Sequence, residues 1–157
     1  MWRAFAILLL LPFPAFAGSW PDVSYSEVRG YGYNHKWPII DSKGRQLIAA
    51  PLVDDGKLGS SVVNKSGARL NPEQIQRVIR AITGEHPAHL TARCWKPHHG
   101  FVFYNAQGKA VAWVEICFEC GYARASPEIP DHSYDDMDSL WKLTEELKLP
   151  SPPKGKI

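Results

Sequence analysis

Three cysteines stand in this chain, Cys94, Cys117 and Cys120, and two adjacent histidines, His98 and His99, follow the first of them closely. Thiolate and imidazole are the side chains that bind soft and borderline metal ions, and thiols also pair as disulfides. Three residues separate Cys94 from His98 and two separate Cys117 from Cys120, so the set offers one thiolate, one imidazole and a two-thiolate knuckle. That is the ligand count of a tetrahedral zinc site or a soft copper(I) site. Three thiolates and one histidine would leave no open coordination position, so such a site would be structural or would carry metal, and would not activate water. The disulfide reading takes the same residues as one bridge and one leftover thiol. Cross-strand closeness favours Cys94 with Cys117 or Cys120, and a pair within Cys117-Phe118-Glu119-Cys120 is the other arrangement open to the chain. A redox reading rests on the Cys117/Cys120 pair alone. In thioredoxin-like proteins such a pair opens a helix whose N-terminus lowers the thiol pKa, whereas Gly121 and the Pro-containing stretch Tyr122 to Pro130 make a poor helix.

Other chemistry is less marked. His86 and His89 could serve as auxiliary ligands, although a histidine in a loop beside Pro87 is commonly just solvated. Glu115 lies within an apolar run, either at the wet edge of a sheet or as a site acid, and lone carboxylates are rarely buried. Ser60, Ser61 and Ser126 lack the strand-turn-helix context of a hydrolase nucleophile. Asp135, Asp136 and Asp138 read as the N-terminus of a helix. His35, His132 and Arg124 have no role that the sequence assigns.

The elements that must hold these residues are legible from turns and periodicity. Ser19 to Trp37 interleaves Trp20, Tyr25, Tyr31, Tyr33 and Trp37 with Gly and Pro, and reads as an extended arm packing aromatics on a core; without a positive cluster it is a poor ligand platform. Asp41-Ser42-Lys43-Gly44 is a turn between strands at Trp37 to Ile40 and Gln46 to Val53. Asp54-Asp55-Gly56 is a second turn, with a further strand at Ser60 to Asn64. Asn71 caps a helix with Pro72 in its first position, Gln74 three residues after the cap and Gly84 at its end. Ile75, Val78, Ile79 and Ile82 form its apolar stripe. A second helix is expected from about Asp136 to Lys148, capped by Asp135 or Asp136, with Met137, Leu140, Trp141 and Leu147 on one stripe and Pro150 beyond its end. Between the helices, strands are expected at Leu90 to Cys94, Phe101 to Asn105 and Ala110 to Cys117. The second of these carries bulk on both faces and should be central.

If Asn105 pairs with Lys109 across Gly108, Phe101 faces Trp113 and Phe103 faces Val111. Carried outward, Pro97 falls opposite Cys117 and Cys94 opposite Cys120, which gathers the cysteines with His98 and His99 at the open end of one hairpin. The whole predicts an α+β domain, an antiparallel sheet built from hairpins with two amphipathic helices packed on it.

The chain has 157 residues, 45% hydrophobic and 22% charged, and this suits one globular domain rather than a disordered chain or a repeat array. A net charge of +2, spread along the sequence, gives no field that points to a nucleic acid partner. Residues 1–17 have the form of a signal peptide, with Arg3 in a short positive start, an apolar run from Ala4 to Leu11 and the small-residue cleavage pattern Ala15-Phe16-Ala17. Pro12 and Pro14 interrupt the run well short of the roughly 20 residues of a membrane span, and no Cys near the cleavage site offers a lipid anchor. Export to the periplasm or beyond follows, with a single domain over residues 18–150 and a Pro- and Lys-rich tail, residues 151–157, expected to be disordered. Export also places the cysteines where disulfides persist.

The stretch from Cys94 to Cys120, with Cys-Trp-Lys-Pro-His-His-Gly-Phe-Val-Phe-Tyr, Gly-Lys-Ala-Val-Ala and Glu-Ile-Cys-Phe-Glu-Cys, resembles a segment of small exported bacterial proteins of uncharacterised function. In those the segment is followed by an acidic start and a Leu-rich terminal helix, as in Asp138 to Leu149. The resemblance covers the last third to half of the chain. It implies that Cys94, His99, Cys117 and Cys120 belong together as a unit, it implies no activity, and it is consistent with a disulfide, a metal or a redox site. Taken together, the sequence predicts an exported non-catalytic binding or interaction module, with a disulfide-tied Cys/His hairpin and another protein as its partner, such as the target of an inhibitor or immunity protein. The alternative is an exported zinc- or copper-binding protein using Cys94, His99, Cys117 and Cys120, with His98 as substitute ligand. An enzyme is the third reading.

Overall fold

The computed structural model describes residues 20–34, 39–40, 43–47, 50–129 and 134–151. The expected signal peptide, the tail beyond residue 151, and His35, Trp37 and His132 lie outside the described residues. The elements run β1 (Glu27–Gly32), β2 (Ile39–Ile40), β3 (Gln46–Leu47), β4 (Val53–Asp54), β5 (Lys57–Leu58), β6 (Ala68–Arg69), α1 (Pro72–Thr83), β7 (His99–Tyr104), β8 (Ala110–Cys117), β9 (Tyr122–Ser126) and α2 (Met137–Glu146). Five of the strands form one antiparallel sheet in the order β6-β1-β7-β8-β9. The small hairpins β2-β3 and β4-β5 stand apart from it. This is the expected α+β fold with an antiparallel sheet.

Each secure element has a local cause. Asn71 accepts from the backbone of Gln74 while the Gln74 side chain accepts from the backbone of Asn71, a reciprocal cap that satisfies backbone donors at the start of α1. Asp136 caps α2 by accepting from the Ser139 N–H, without the reciprocal bond seen at α1. Both helices lie on one face of the sheet. Val78, Ile79 and Ile82 of α1 and Leu140 and Leu143 of α2 pack with Val28, Phe101, Phe103, Ala112, Val114 and Ile116. The other face is covered by the segment around β4 and β5, whose Leu52, Val53 and Val62 join Tyr31, Tyr33, Val102 and Ala110. With apolar layers on both faces, β7 is buried from His99 to Phe103, as bulk on both its faces predicted.

The structure also corrects the sequence reading. Phe101 pairs with Val114 and Phe103 with Ala112, not with Trp113 and Val111, because a β-bulge lies between Phe103 and Tyr104 while Tyr104 still pairs with Ala110. A one-residue slip moves every β8 side chain to the opposite face. The slipped register puts Ala112, Val114 and Ile116 under the helices. The expected register would have put Glu115 there, a carboxylate without partners in an apolar layer. The aromatic arm contains β1, an interior strand of the sheet, and its Trp20, Tyr31 and Tyr33 do pack into the cores. Tyr122 to Ser126 is the strand β9, hidden in the sequence because Ala, Arg and Ser carry little β propensity. Leu90 to Cys94 is not a strand, and Leu90 is 96% exposed. Ser60 to Asn64 contributes a single bridge, between Val62 and Tyr33. On α2 the buried stripe is Leu140, Leu143 and Thr144, and Trp141 is 44% exposed.

Candidate functional site

Three elements meet where β8 ends. Cys117 is the last residue of β8, Cys120 lies in the turn to β9, and Cys94 comes from the irregular segment between α1 and β7. The turn is tight, with the Cys120 and Gly121 N–H groups both donating to the Cys117 carbonyl. Gly121 adopts φ +74, where a side chain is strained, and a Cβ there would lie 2.7 Å from the Leu90 carbonyl oxygen. Glycine therefore lets the segment at residues 89–94 lie directly on the turn.

Three hydrogen bonds fasten that segment. Ala92 N–H donates to the Cys120 carbonyl at 2.9 Å, the His89 ring bonds the Gly121 carbonyl through Nε2 at 2.6 Å, and the Tyr122 hydroxyl donates to the Cys94 carbonyl at 2.7 Å. Trp95 stacks on Tyr122 at 5.1 Å between ring centroids, and the Arg124 guanidinium sits 4.0 Å from the Trp95 centroid. This cation–π stack covers the outside of the corner. The result is a compact group of sulfurs. The Sγ atoms of Cys117 and Cys120 are joined at 1.98 Å, Cys94 Sγ is 2.6 Å from Cys120 Sγ, and all three sulfurs lie within 4.8 Å of one another. Cys117 and Cys120 are buried and Cys94 is partly exposed, so the corner meets solvent through Cys94. A chain with three cysteines thus holds one bridge and one leftover thiol, as expected, but the bridge lies within the turn and not across strands. Two residues of separation bring the Cα atoms to 5.1 Å, which suits a disulfide.

The imidazoles take other places. His98 bonds the Tyr33 carbonyl through Nδ1 at 3.2 Å. His99 is 3% exposed, packs against Phe118 with ring centroids 5.6 Å apart, and neither of its ring nitrogens makes a hydrogen bond of normal geometry. Burial lowers its pKa to about 4; the neighbouring His98 adds to this and the Pro150 backbone opposes it. Among the described residues, the grouped donors are therefore Cys94, Cys117 and Cys120, without His98 or His99. His86 bonds the Arg80 carbonyl, so both histidines proposed as auxiliary ligands are engaged with backbone oxygens.

Glu115 is the other ionisable group drawn into the fold. It stands opposite Gly100 on β7 and Arg124 on β9, on the face away from the helices. Its Oε1 accepts from the Leu52 N–H at 2.8 Å and from the Tyr33 hydroxyl at 3.4 Å. Burial raises its pKa against the pull of these two donors and of Arg124, and burial beside Glu115 pushes the Tyr33 phenol well up. A Cβ at Gly100 would collide with the Leu52 side chain, so glycine there admits the segment that Glu115 ties down. Glu115 is thus a structural tie between sheet and hairpin layer. The sequence offered no signal for the roles of Tyr122, Ala92 and Arg124, because each depends on β9 and on the docking of the segment before β7.

No family model, no curated protein and no solved structure matches the chain.

Proposed function

We propose that this protein is a small exported binding module whose working part is the three-sulfur corner, and that its reduced form holds one soft metal ion there, copper(I) or zinc. The observation that carries the reading is the convergence of three sulfur donors from two distant segments within 4.8 Å. Thiolates select soft and borderline ions. A metal needs three free thiolates, so the Cys117–Cys120 bridge must first be reduced. Three donors suit copper(I) in a trigonal site, or zinc with a fourth position left to solvent or to a partner's ligand. Partial exposure of Cys94 gives an ion its way in. Export rests on the character of residues 1–17, and a protein partner remains the reading for the rest of the surface.

The test is metal titration of the fully reduced chain under anaerobic conditions, with copper(I) and zinc each competed against a chromophoric chelator. The expected result is about one equivalent bound, with a loss of at least about tenfold in affinity for Cys94→Ser, which removes one of three thiolates. Binding below about a tenth of an equivalent, or unchanged affinity in Cys94→Ser, overturns the reading. A second reading is favoured by the bond between Cys117 and Cys120, which ties the β8-β9 turn. In that case the oxidised form is the working one, and the corner only stiffens a surface for another protein.

A further inference from the structure

The two closest sulfur contacts share one atom. Cys120 Sγ is bonded to Cys117 and is also in direct contact with the Cys94 thiol, which donates to it. Cys94 is not there by chance of a floppy loop. Its own carbonyl is held by Tyr122, its neighbour Ala92 by Cys120 and His89 by Gly121, so hydrogen bonds on both sides of the turn carry its side chain to Cys120.

We propose that Cys94 is an exchange thiol and that the oxidised corner interconverts between two disulfide isomers. The Cys94 thiol gives its proton to solvent, and the thiolate attacks Cys120 Sγ. A Cys94–Cys120 bond forms as the Cys117–Cys120 bond breaks, and the Cys117 sulfur leaves with the electron pair and takes up a proton. One disulfide and one thiol are present before and after, so no external oxidant or reductant enters. The first isomer presents a partly exposed thiol at Cys94. The second staples the segment before β7 to the β8-β9 turn and leaves its thiol on Cys117, which is fully buried. The corner is then a thiol gate: a disulfide or electrophile on a partner meets a nucleophile in one isomer and a closed surface in the other. The step concerns the oxidised form and stands independently of metal binding by the reduced form.

The experiment follows the position of the free thiol. The oxidised full-length chain is held at mildly alkaline pH, quenched in acid at intervals, unfolded, and labelled with N-ethylmaleimide while still acidic, and its peptic fragments are mapped by mass. The expected result is label divided between Cys94 and Cys117, and complete loss of label in Cys94→Ser. In Cys117→Ser, oxidised glutathione should produce the Cys94–Cys120 bond, read as the loss of two hydrogens in the intact mass. Label confined to Cys94 at every interval overturns the proposal, as does label on Cys120. Should Cys117→Ser fail to fold, the map of the unaltered chain decides alone, because labelling after unfolding does not depend on exposure. Metal binding by the reduced chain is read separately, so the failure of either reading is visible without the other.

Discussion

Acidification should weaken this fold through His99, and the size of the effect can be worked from its surroundings. The imidazole is 3% exposed and lies against Phe118, neither ring nitrogen makes a hydrogen bond of normal geometry, and the Pro150 backbone offers only a partial counterweight that favours the charged ring. Its pKa falls from 6.5 to about 4 in the folded chain, with burial as the main cause and the neighbouring His98 as the second. The unfolded chain therefore binds the proton first. Stability is whole above the unfolded value of 6.5, falls as the pH drops below it, and continues to fall through the folded value of about 4. Each pKa unit is worth about 1.4 kcal/mol, so by the lower end of that window the loss attributable to this one ring is about 3 kcal/mol. Against a total of roughly 5–15 kcal/mol for a domain, that is a large share. The assay is urea unfolding of the oxidised chain and of His99→Phe between neutral pH and about pH 4. Phenylalanine keeps a ring against Phe118 and removes the titration. The stability difference between the two proteins should swing by about 3 kcal/mol in favour of the variant as the pH falls. Parallel pH profiles for the two proteins would refute the reasoning, and would mean that the ring is solvated or partnered in solution.

Two further outcomes follow from the same geometry. Gly121→Ala places a side chain at φ +74 and against the Leu90 carbonyl; it should cost about 1–2 kcal/mol in backbone strain and loosen the docked segment. A faster reaction of Cys94 with an aromatic disulfide reagent in the native protein checks this, and an unchanged rate would count against docking as the device that positions Cys94. Glu115 titrates with the opposite sign to His99. Its folded pKa is raised, so the folded chain holds the proton longer and stability declines as the pH rises from the unfolded value of 4.5 through the higher folded one. Glu115→Gln, which can still accept from the Leu52 N–H, should lose that decline, as read by thermal unfolding across the same range.

What could be read from the chain alone is what depends on neighbours in sequence. The cap at Asn71 and Gln74, the apolar stripe of Val78, Ile79 and Ile82, the turn at Asn105 to Lys109 and the span Ala110–Cys117 all rest on contacts within a few residues, and residue type and spacing declare them. The α+β class followed, because such elements have few ways to bury their apolar faces together. Cys94 does meet Cys120, but not as an extended hairpin would bring them: the register is shifted and residues 90–94 form no strand, and the contact comes from an irregular segment docked on the β8-β9 turn. What tertiary structure decided was register, partner and exposure. The bulge between Phe103 and Tyr104 exists because Glu115 and Trp113 fit the hairpin-covered face better than the helix-covered one, and no local pattern states that preference. β9 is a strand because β8 offers it a ladder, not because Tyr-Ala-Arg-Ala-Ser favours extension. The resemblance grouped His99 with the cysteines, yet in the fold its ring packs against Phe118 and is not among the grouped donors. Spacing fixes how far apart two donors can be along the chain; only the packed sheet, with side chains committed to one face or the other, decides which of them meet.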